Sequence, residues 1–262
     1  MSAPIEVHHV EEGLPHGPPL VLSNSLGTTL AMWDPQAAAL AERFRVIRYD
    51  TRGHGGSPVP PGPYDIAGLG SDLLALLDRL EIERASVCGL SIGGMTALWV
   101  AANAPERVDR LVLCSTSARF DSPERYAERA AIVRAEGMEP IANTAVRRWF
   151  TERFAENQPG VIDEFHDMLL ATPAEGYAAC CGVIERADLT GSIGAITAPT
   201  LLLAGADDPS TPPPHAERIA ARVAGARVVV LPGSHLLNVE RAAEVTRAVL
   251  DHLSVSTSEE ER

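Results

Sequence analysis

A chain of 262 residues, 45% of them hydrophobic, is long enough to bury one large core, or one core with an insertion. Its net charge of −13 argues against nucleic acid or an anionic membrane as a partner, and no apolar run approaches the length of a bilayer span. Lysine is absent, so Schiff-base and other lysine-dependent chemistry is excluded, and the strong cationic contact to any anion falls to arginine.

The opening residues, Met1-Ser2-Ala3-Pro4-Ile5-Glu6, carry neither a basic flank nor an apolar core, which leads to the expectation of a cytoplasmic protein without a signal peptide. Short apolar runs at 19–22, 46–49, 85–90, 110–114, 199–204 and 227–231 read as buried strands. Residues 6–10 read as a further strand, paired antiparallel with 19–22 across a Gly/Pro-rich turn. Helical spacing of apolar residues recurs at 65–80, 92–103, 217–223 and 242–253. This alternation predicts an α/β fold with a mostly parallel sheet flanked by helices. Residues 120–197 break the rhythm, with amphipathic stretches at 123–136, 140–156, 161–171 and 174–186 and no convincing strand. They are expected to form a helical cap inserted between two sheet strands, so that 1–119 and 198–262 make up the core. The polar, acidic residues 254–262 are expected to fray. Cys88 and Cys114 lie in apolar runs, Cys180 and Cys181 are adjacent without metal-ligand spacing, and all four are expected to be reduced.

The strongest chemical signal is Gly89-Leu90-Ser91-Ile92-Gly93, a G-x-S-x-G motif between an apolar strand and a small-residue helix. That context places Ser91 on a sharp strand-to-helix turn, where a nucleophile is exposed and helix N–H groups face developing negative charge. A nucleophilic serine needs a base and the base an orienting acid, which in this motif follow in the order Ser, acid, His. Of the later histidines, His235 sits in a loop directly after the last apolar strand. His166, His215 and His252 fall in helical stretches and read as solvent or packing residues. The acid is expected at the end of the 199–204 strand, where Asp207 and Asp208 compete. Asp208, three residues beyond Gly205, fits the motif register better. Two N–H donors are then needed for the oxyanion, one from Ile92 after the nucleophile and one from the loop Asn24-Ser25-Leu26-Gly27, with Leu26 the expected donor. His54, in Arg52-Gly53-His54-Gly55-Gly56-Ser57, reads as a structural loop residue or as part of the pocket wall.

Residues 24–28 with Trp33, the Arg-Gly-His-Gly-Gly-Ser loop, the 88–95 elbow and the 233–240 loop together resemble the α/β-hydrolase superfamily. The Ser-Asn-Ser-Leu-Gly wording, that loop and Arg148-Trp149-Phe150 resemble the 3-oxoadipate enol-lactonases within it. The resemblance spans essentially the whole chain, more firmly in the core than in the cap. It implies a hydrolase of the β-ketoadipate pathway, free of metal and cofactor, that opens 3-oxoadipate enol-lactone with water. It also implies a small-molecule lactone substrate bearing a carboxylate. Arg129, Arg134 and Arg148 of the expected cap could hold that carboxylate, although each also reads as a solvated helix face. Trp149 could wall the pocket or belong to the core. Rival readings on the same scaffold are a general carboxylesterase and a cofactor-free haloperoxidase or perhydrolase. Ser91 in place of an aspartate disfavours a dehalogenase. A catalytically dead binding module is disfavoured by the presence of Ser91, Asp208 and His235.

Overall fold

The computed structural model describes residues 3–254. Its strands are β1 (His9–Gly13), β2 (Pro19–Ser23), β3 (Arg45–Tyr49), β4 (Ala85–Leu90), β5 (Val108–Cys114), β6 (Thr200–Gly205) and β7 (Arg227–Leu231). They form one sheet in the order β1-β3-β2-β4-β5-β6-β7. All neighbours run parallel except β1, which lies antiparallel on β3 with His9 opposite Tyr49. The first strand therefore differs from the expectation in place and in partner. The Gly13–Gly17 turn does not close a hairpin, because β3 occupies the edge beside β2 and takes β1 as its other neighbour.

The helices are α1 (Asp34–Ala41), α2 (Ile66–Arg79), α3 (Ile92–Asn103), α4 (Glu124–Glu136), α5 (Glu139–Trp149), α6 (Glu152–Asn157), α7 (Pro159–Leu170), α8 (Ala174–Arg186), α9 (Pro214–Ala220), α10 (Leu237–Glu240) and α11 (Ala242–Ser254). Every residue of β4 and of β6 is buried, so the middle of the sheet is covered on both faces, as parallel strands require. α2 packs against α3 and α1 against α11. Asp65 starts α2 by accepting the Gly68 N–H at 2.7 Å, which satisfies one of the unpaired donors of the first turn. α4 to α8 fill the chain between β5 and β6, and α4 lies along α8. The single helix expected over 140–156 is two: Phe150 is extended and Thr151 caps a new start by accepting the Phe154 N–H. The helix expected over 217–223 begins three residues earlier, because proline is tolerated in a first turn. All four cysteines are buried and free. The expected frayed tail lies, beyond Ser254, outside the described residues. Among the described residues no helix is long and apolar enough to cross a membrane.

Candidate active site

β4 delivers Ser91 at its carboxyl end and α3 begins with the next residue, which forces the turn. Ser91 has φ 57° and ψ −117°, a backbone conformation costly for any residue with a Cβ. Hydrogen bonds on both sides hold it there. The Ser91 N–H donates to Cys114 O at 3.0 Å, and Ser91 O accepts from the Thr116 hydroxyl at 2.6 Å. The two motif glycines answer to different neighbours. A Cβ on Gly89 would meet Gly93 O at 2.3 Å, within the turn itself. A Cβ on Gly93 would meet Ser23 O at 2.3 Å, so this glycine lets the end of β2 rest on the start of α3. The loop after β2 is thereby laid directly beside Ser91.

The structure brings Ser91, His235 and Asp208 into one hydrogen-bonded line. His235 Nε2 lies 3.0 Å from Ser91 Oγ, and His235 Nδ1 lies 2.8 Å from Asp208 Oδ2. All three are buried. Burial by itself would raise the Asp208 pKa. The His235 charge and hydrogen bond, the Thr211 hydroxyl at 2.6 Å and the Ser210 N–H at 2.8 Å outweigh it and hold Asp208 down to about 2. Asp208 is therefore ionised at neutral pH and accepts the Nδ1 proton, leaving Nε2 free to take one from Ser91. Asp207 is exposed and its carboxylate instead takes the Gly233 N–H at 3.3 Å, tying the β6 loop to the β7 loop.

In the loop after β2, the Ser25 N–H points to Met32 Sδ, the Gly27 N–H to His54 Nε2 and the Thr28 N–H to Ser25 O. Among the described residues the Leu26 N–H has no such partner, nor does the N–H of Ile92 at the start of α3. Ser25, Leu26, Ser91 and His235 line one small cavity of about 30 Å³ together with Tyr126, Arg129, Arg148 and Trp149. A wider chamber of about 200 Å³ adjoins it, sharing Tyr126, Arg129, Arg148 and Ser210 and adding Arg125. Arg129 donates to the Tyr177 hydroxyl and lies over the Tyr126 ring at 5.6 Å. Arg148 donates to Pro209 O at 3.3 Å. Burial, and then the charges of Arg125 and Arg129, pull the Arg148 guanidinium below its usual pKa. Among the described residues no carboxylate forms an ion pair with Arg125, Arg129 or Arg148. Arg134 is not brought to the site: it is exposed on α4 and grips Glu175 of α8 through two hydrogen bonds of 2.9 and 2.8 Å. Trp149 is buried, packs edge-on to Phe165, and lines the inner cavity.

Sequence reasoning passed over Arg125, Tyr126 and Thr211. The i, i+4 spacing of Arg125 and Arg129, with Arg148 one helix on, was the available signal for a cationic wall. Of the other histidines after Ser91, His252 Nε2 meets Pro199 O and His166 meets Asn143, while His215 lines the wider chamber beside Asp121, bonded to Ser117 and to Asp121. Among the described residues no three of His, Cys, Asp and Glu are grouped to hold a metal ion.

His54 is buried, and burial lowers its pKa from 6.5 to about 4 against the smaller opposing pulls of the Arg52 carbonyl and Asp50. Between pH 6.5 and 4 the unfolded chain binds a proton at His54 and the folded chain does not, so stability falls as pH falls through that range. The contribution reaches roughly 3 kcal/mol at the acid end. The melting temperature of the wild type is expected to fall further than that of His54→Gln as the pH is lowered from 7 to 4; parallel curves would remove His54 from the acid response.

Seven strands in this order, with a serine elbow after β4, an acid after β6 and a histidine after β7, are the layout of an α/β hydrolase. The family model for the alpha/beta hydrolase fold matches residues 18–242. The 3-oxoadipate enol-lactonase 2 of Acinetobacter baylyi is 40% identical over 94% of this chain and 92% of its own. The crystal structure of the enol-lactonase from Burkholderia xenovorans superposes with a TM-score of 0.94 at 45% identity, covering 95% of this chain and 96% of that one. A thermophilic esterase from Thermogutta terrifontis, solved with malate bound, has a TM-score of 0.89 at 34% identity over 95% of this chain and 93% of its own. The chain belongs to the α/β-hydrolase family, among the 3-oxoadipate enol-lactonases, and is a hydrolase.

Proposed function

We propose that the protein opens 3-oxoadipate enol-lactone with water to give 3-oxoadipate, a step of the β-ketoadipate route of aromatic breakdown. Ser91 Oγ attacks the lactone carbonyl while its proton passes to His235 Nε2. Asp208 steadies the resulting imidazolium, and the Leu26 and Ile92 N–H groups receive the oxyanion. Collapse breaks the ring C–O bond as the His235 imidazolium gives its proton to the leaving oxygen, forming an enol within the acyl-enzyme that tautomerises to the ketone, which makes ring opening effectively irreversible. Water deprotonated by His235 then attacks the acyl-enzyme, and Ser91 leaves with a proton. The helices between β5 and β6 act as the cap over this chemistry, with Trp149 as a wall.

The observation that carries the substrate reading is the set of guanidiniums around the cavity. In a protein of net charge −13, Arg129 and Arg148 face it and Arg125 faces the adjoining chamber with no carboxylate partner among the described residues, the chamber's one lining carboxylate, Asp121, being paired with Arg218 and His215. Crowded like charges in a partly desolvated place favour the arrival of an anion. The enol-lactone's carboxylate fits that need, and a neutral ester does not use it. Loss of the lactone's ultraviolet absorbance should be fast, and hydrolysis of neutral p-nitrophenyl esters much slower. The reverse preference would reject the lactonase in favour of a carboxylesterase, the second reading that the likeness to the Thermogutta esterase keeps in view.

The same assay tests the clamp. Arg148→Ala is expected to raise KM for the lactone about tenfold, the loss of one charge-assisted contact, and to leave KM for a neutral ester within twofold. Arg134→Ala should change neither. Equal effects of the two substitutions would remove Arg148 from the clamp.

A further inference from the structure

The loop after β3 has no part in the mechanism above, yet it is fixed as firmly as the elbow. Asp50, buried at the end of β3, accepts the Gly56 N–H at 2.9 Å and the Leu30 N–H at 2.7 Å, which joins this loop to the one after β2. The Ser57 hydroxyl donates to Asp50 O at 2.6 Å, the Gly53 N–H to Pro58 O at 2.8 Å, and the His54 N–H to Thr51 O at 2.9 Å. Arg52 is held by Asp72 of α2 through two bonds of 2.6 Å. On this frame His54 is 1% exposed, with Nδ1 3.2 Å from Arg52 O. The carbonyl can only accept, so Nδ1 carries the proton and Nε2 is left as an acceptor. That acceptor lies 2.9 Å from the Gly27 nitrogen, which donates to it.

We propose that His54 is a positioning residue for the oxyanion hole, holding the loop after β2 by its Gly27 N–H so that the Leu26 N–H is the donor left facing the cavity. The inference rests on the serine-hydrolase reading of Ser91. Of the four successive N–H groups from Ser25 to Thr28, three are spent inside the protein, on Met32, His54 and Ser25, and the fourth belongs to Leu26, which lines the cavity. The Ser25 and Thr28 bonds are local and would survive a tilt of the loop as a unit. Of the three, the Gly27 bond alone reaches to a different loop, 27 residues away in sequence; the Asn24 amide on Tyr49 O and the Leu30 N–H on Asp50 anchor the two ends of the loop, and the Gly27 bond fixes the peptide next to Leu26 between them. An oxyanion donor works only if it is aimed before charge develops, since reorientation during the reaction costs what the hydrogen bond returns. A neutral histidine suits this role because it has one acceptor, fixed in a rigid ring, and its other nitrogen is locked by the frame. His54 does not reach the reacting atoms, and its influence passes wholly through the Gly27–Leu26 peptide.

The test compares His54→Leu, which removes the acceptor, with His54→Gln, whose amide oxygen can replace Nε2. Each is assayed for turnover and for affinity toward 3-carboxypropylboronic acid, which forms a tetrahedral adduct on a nucleophilic serine with one oxygen in the oxyanion hole. H54L is expected to lose roughly ten- to a hundredfold in kcat, a fraction of what deleting an oxyanion donor costs. Its KM should stay within twofold and its boronate affinity should fall by the same factor as kcat. H54Q is expected to recover to within about threefold of wild type in both. Unchanged boronate affinity in H54L, or equal losses in the two variants, overturns the proposal. If H54L does not fold, uniformly nitrogen-15-labelled wild type decides the matter. A scalar coupling between the Gly27 amide nitrogen and His54 Nε2 that persists in the boronate adduct supports the proposal, and its absence there overturns it. If wild type neither binds the boronate nor turns over ester or lactone, it is the serine-hydrolase reading that fails.

Discussion

Ser91→Ala is expected to slow lactone opening by roughly a million-fold and to abolish labelling by a fluorophosphonate, with the fold intact. The size follows from what remains. Without Oγ no acyl-enzyme forms, and the surviving donors at Leu26 and Ile92 can only assist direct attack by water. The companion substitution separates chemistry from stability. Ser91 sits at φ 57°, where a Cβ is strained by about 1–3 kcal/mol, so Ser91→Gly should be equally inactive yet melt a few degrees higher than Ser91→Ala. Residual activity in both variants above a few per cent of wild type would remove Ser91 as nucleophile. Equal melting temperatures would mean that the elbow stores no strain.

Asp208→Asn is the second large effect, with kcat expected to drop about 10⁴-fold because an amide cannot hold the His235 tautomer that accepts the serine proton. Asp207→Asn should stay within a few-fold, since that carboxylate only bridges two loops. The acid limb carries a signature of its own. The folded protein holds Asp208 at about 2 against an ordinary 3.8, so the ionised form favours folding. That contribution, about 2 kcal/mol, is complete above pH 4 and is lost as pH falls through 2. Asp208→Asn should therefore be less stable than wild type at pH 6 and closer to it near pH 2. Comparable losses of turnover from the two aspartates would reassign the acid.

Much of this was legible because the core of an α/β sheet writes its strands as short apolar runs and its helices as stripes. The run 85–90 and the helix 92–103 agree with the observed β4 and α3 to the residue. The place and partner of β1 were not legible, since His9-Val10-Glu11-Glu12-Gly13 is a polar edge strand whose glutamates pair with Arg45 and Arg48 of β3, and nothing local says which neighbour it joins. α1 escaped for a different reason: Asp34-Pro35-Gln36-Ala37-Ala38-Ala39-Leu40-Ala41 has one large apolar residue and so no stripe. At the site, serine, acid and histidine could be chosen from chain order and strand ends. The arginines could not be ranked that way. Arg129, Arg134 and Arg148 look alike in a helical sequence, and only packing shows that Arg134 turns to Glu175 while Arg125, unremarked, turns to the chamber.

The loop that carries His235 is bound to the end of α5. Leu236 N–H donates to Trp149 O at 2.9 Å, the Ser234 hydroxyl to Arg148 O at 3.0 Å, and Glu240 takes the N–H groups of both Ser234 and Thr151. This knot behaves as a door jamb. A displacement of the helical layer that kept these bonds would be held where α5 ends, at Arg148 and Trp149, and freer along α4, which carries Arg125. On the function proposed above, Ser91, His235 and Asp208 would stay in line through such a shift, and an anion reaching Ser91 by way of the wider chamber would pass Arg125 first.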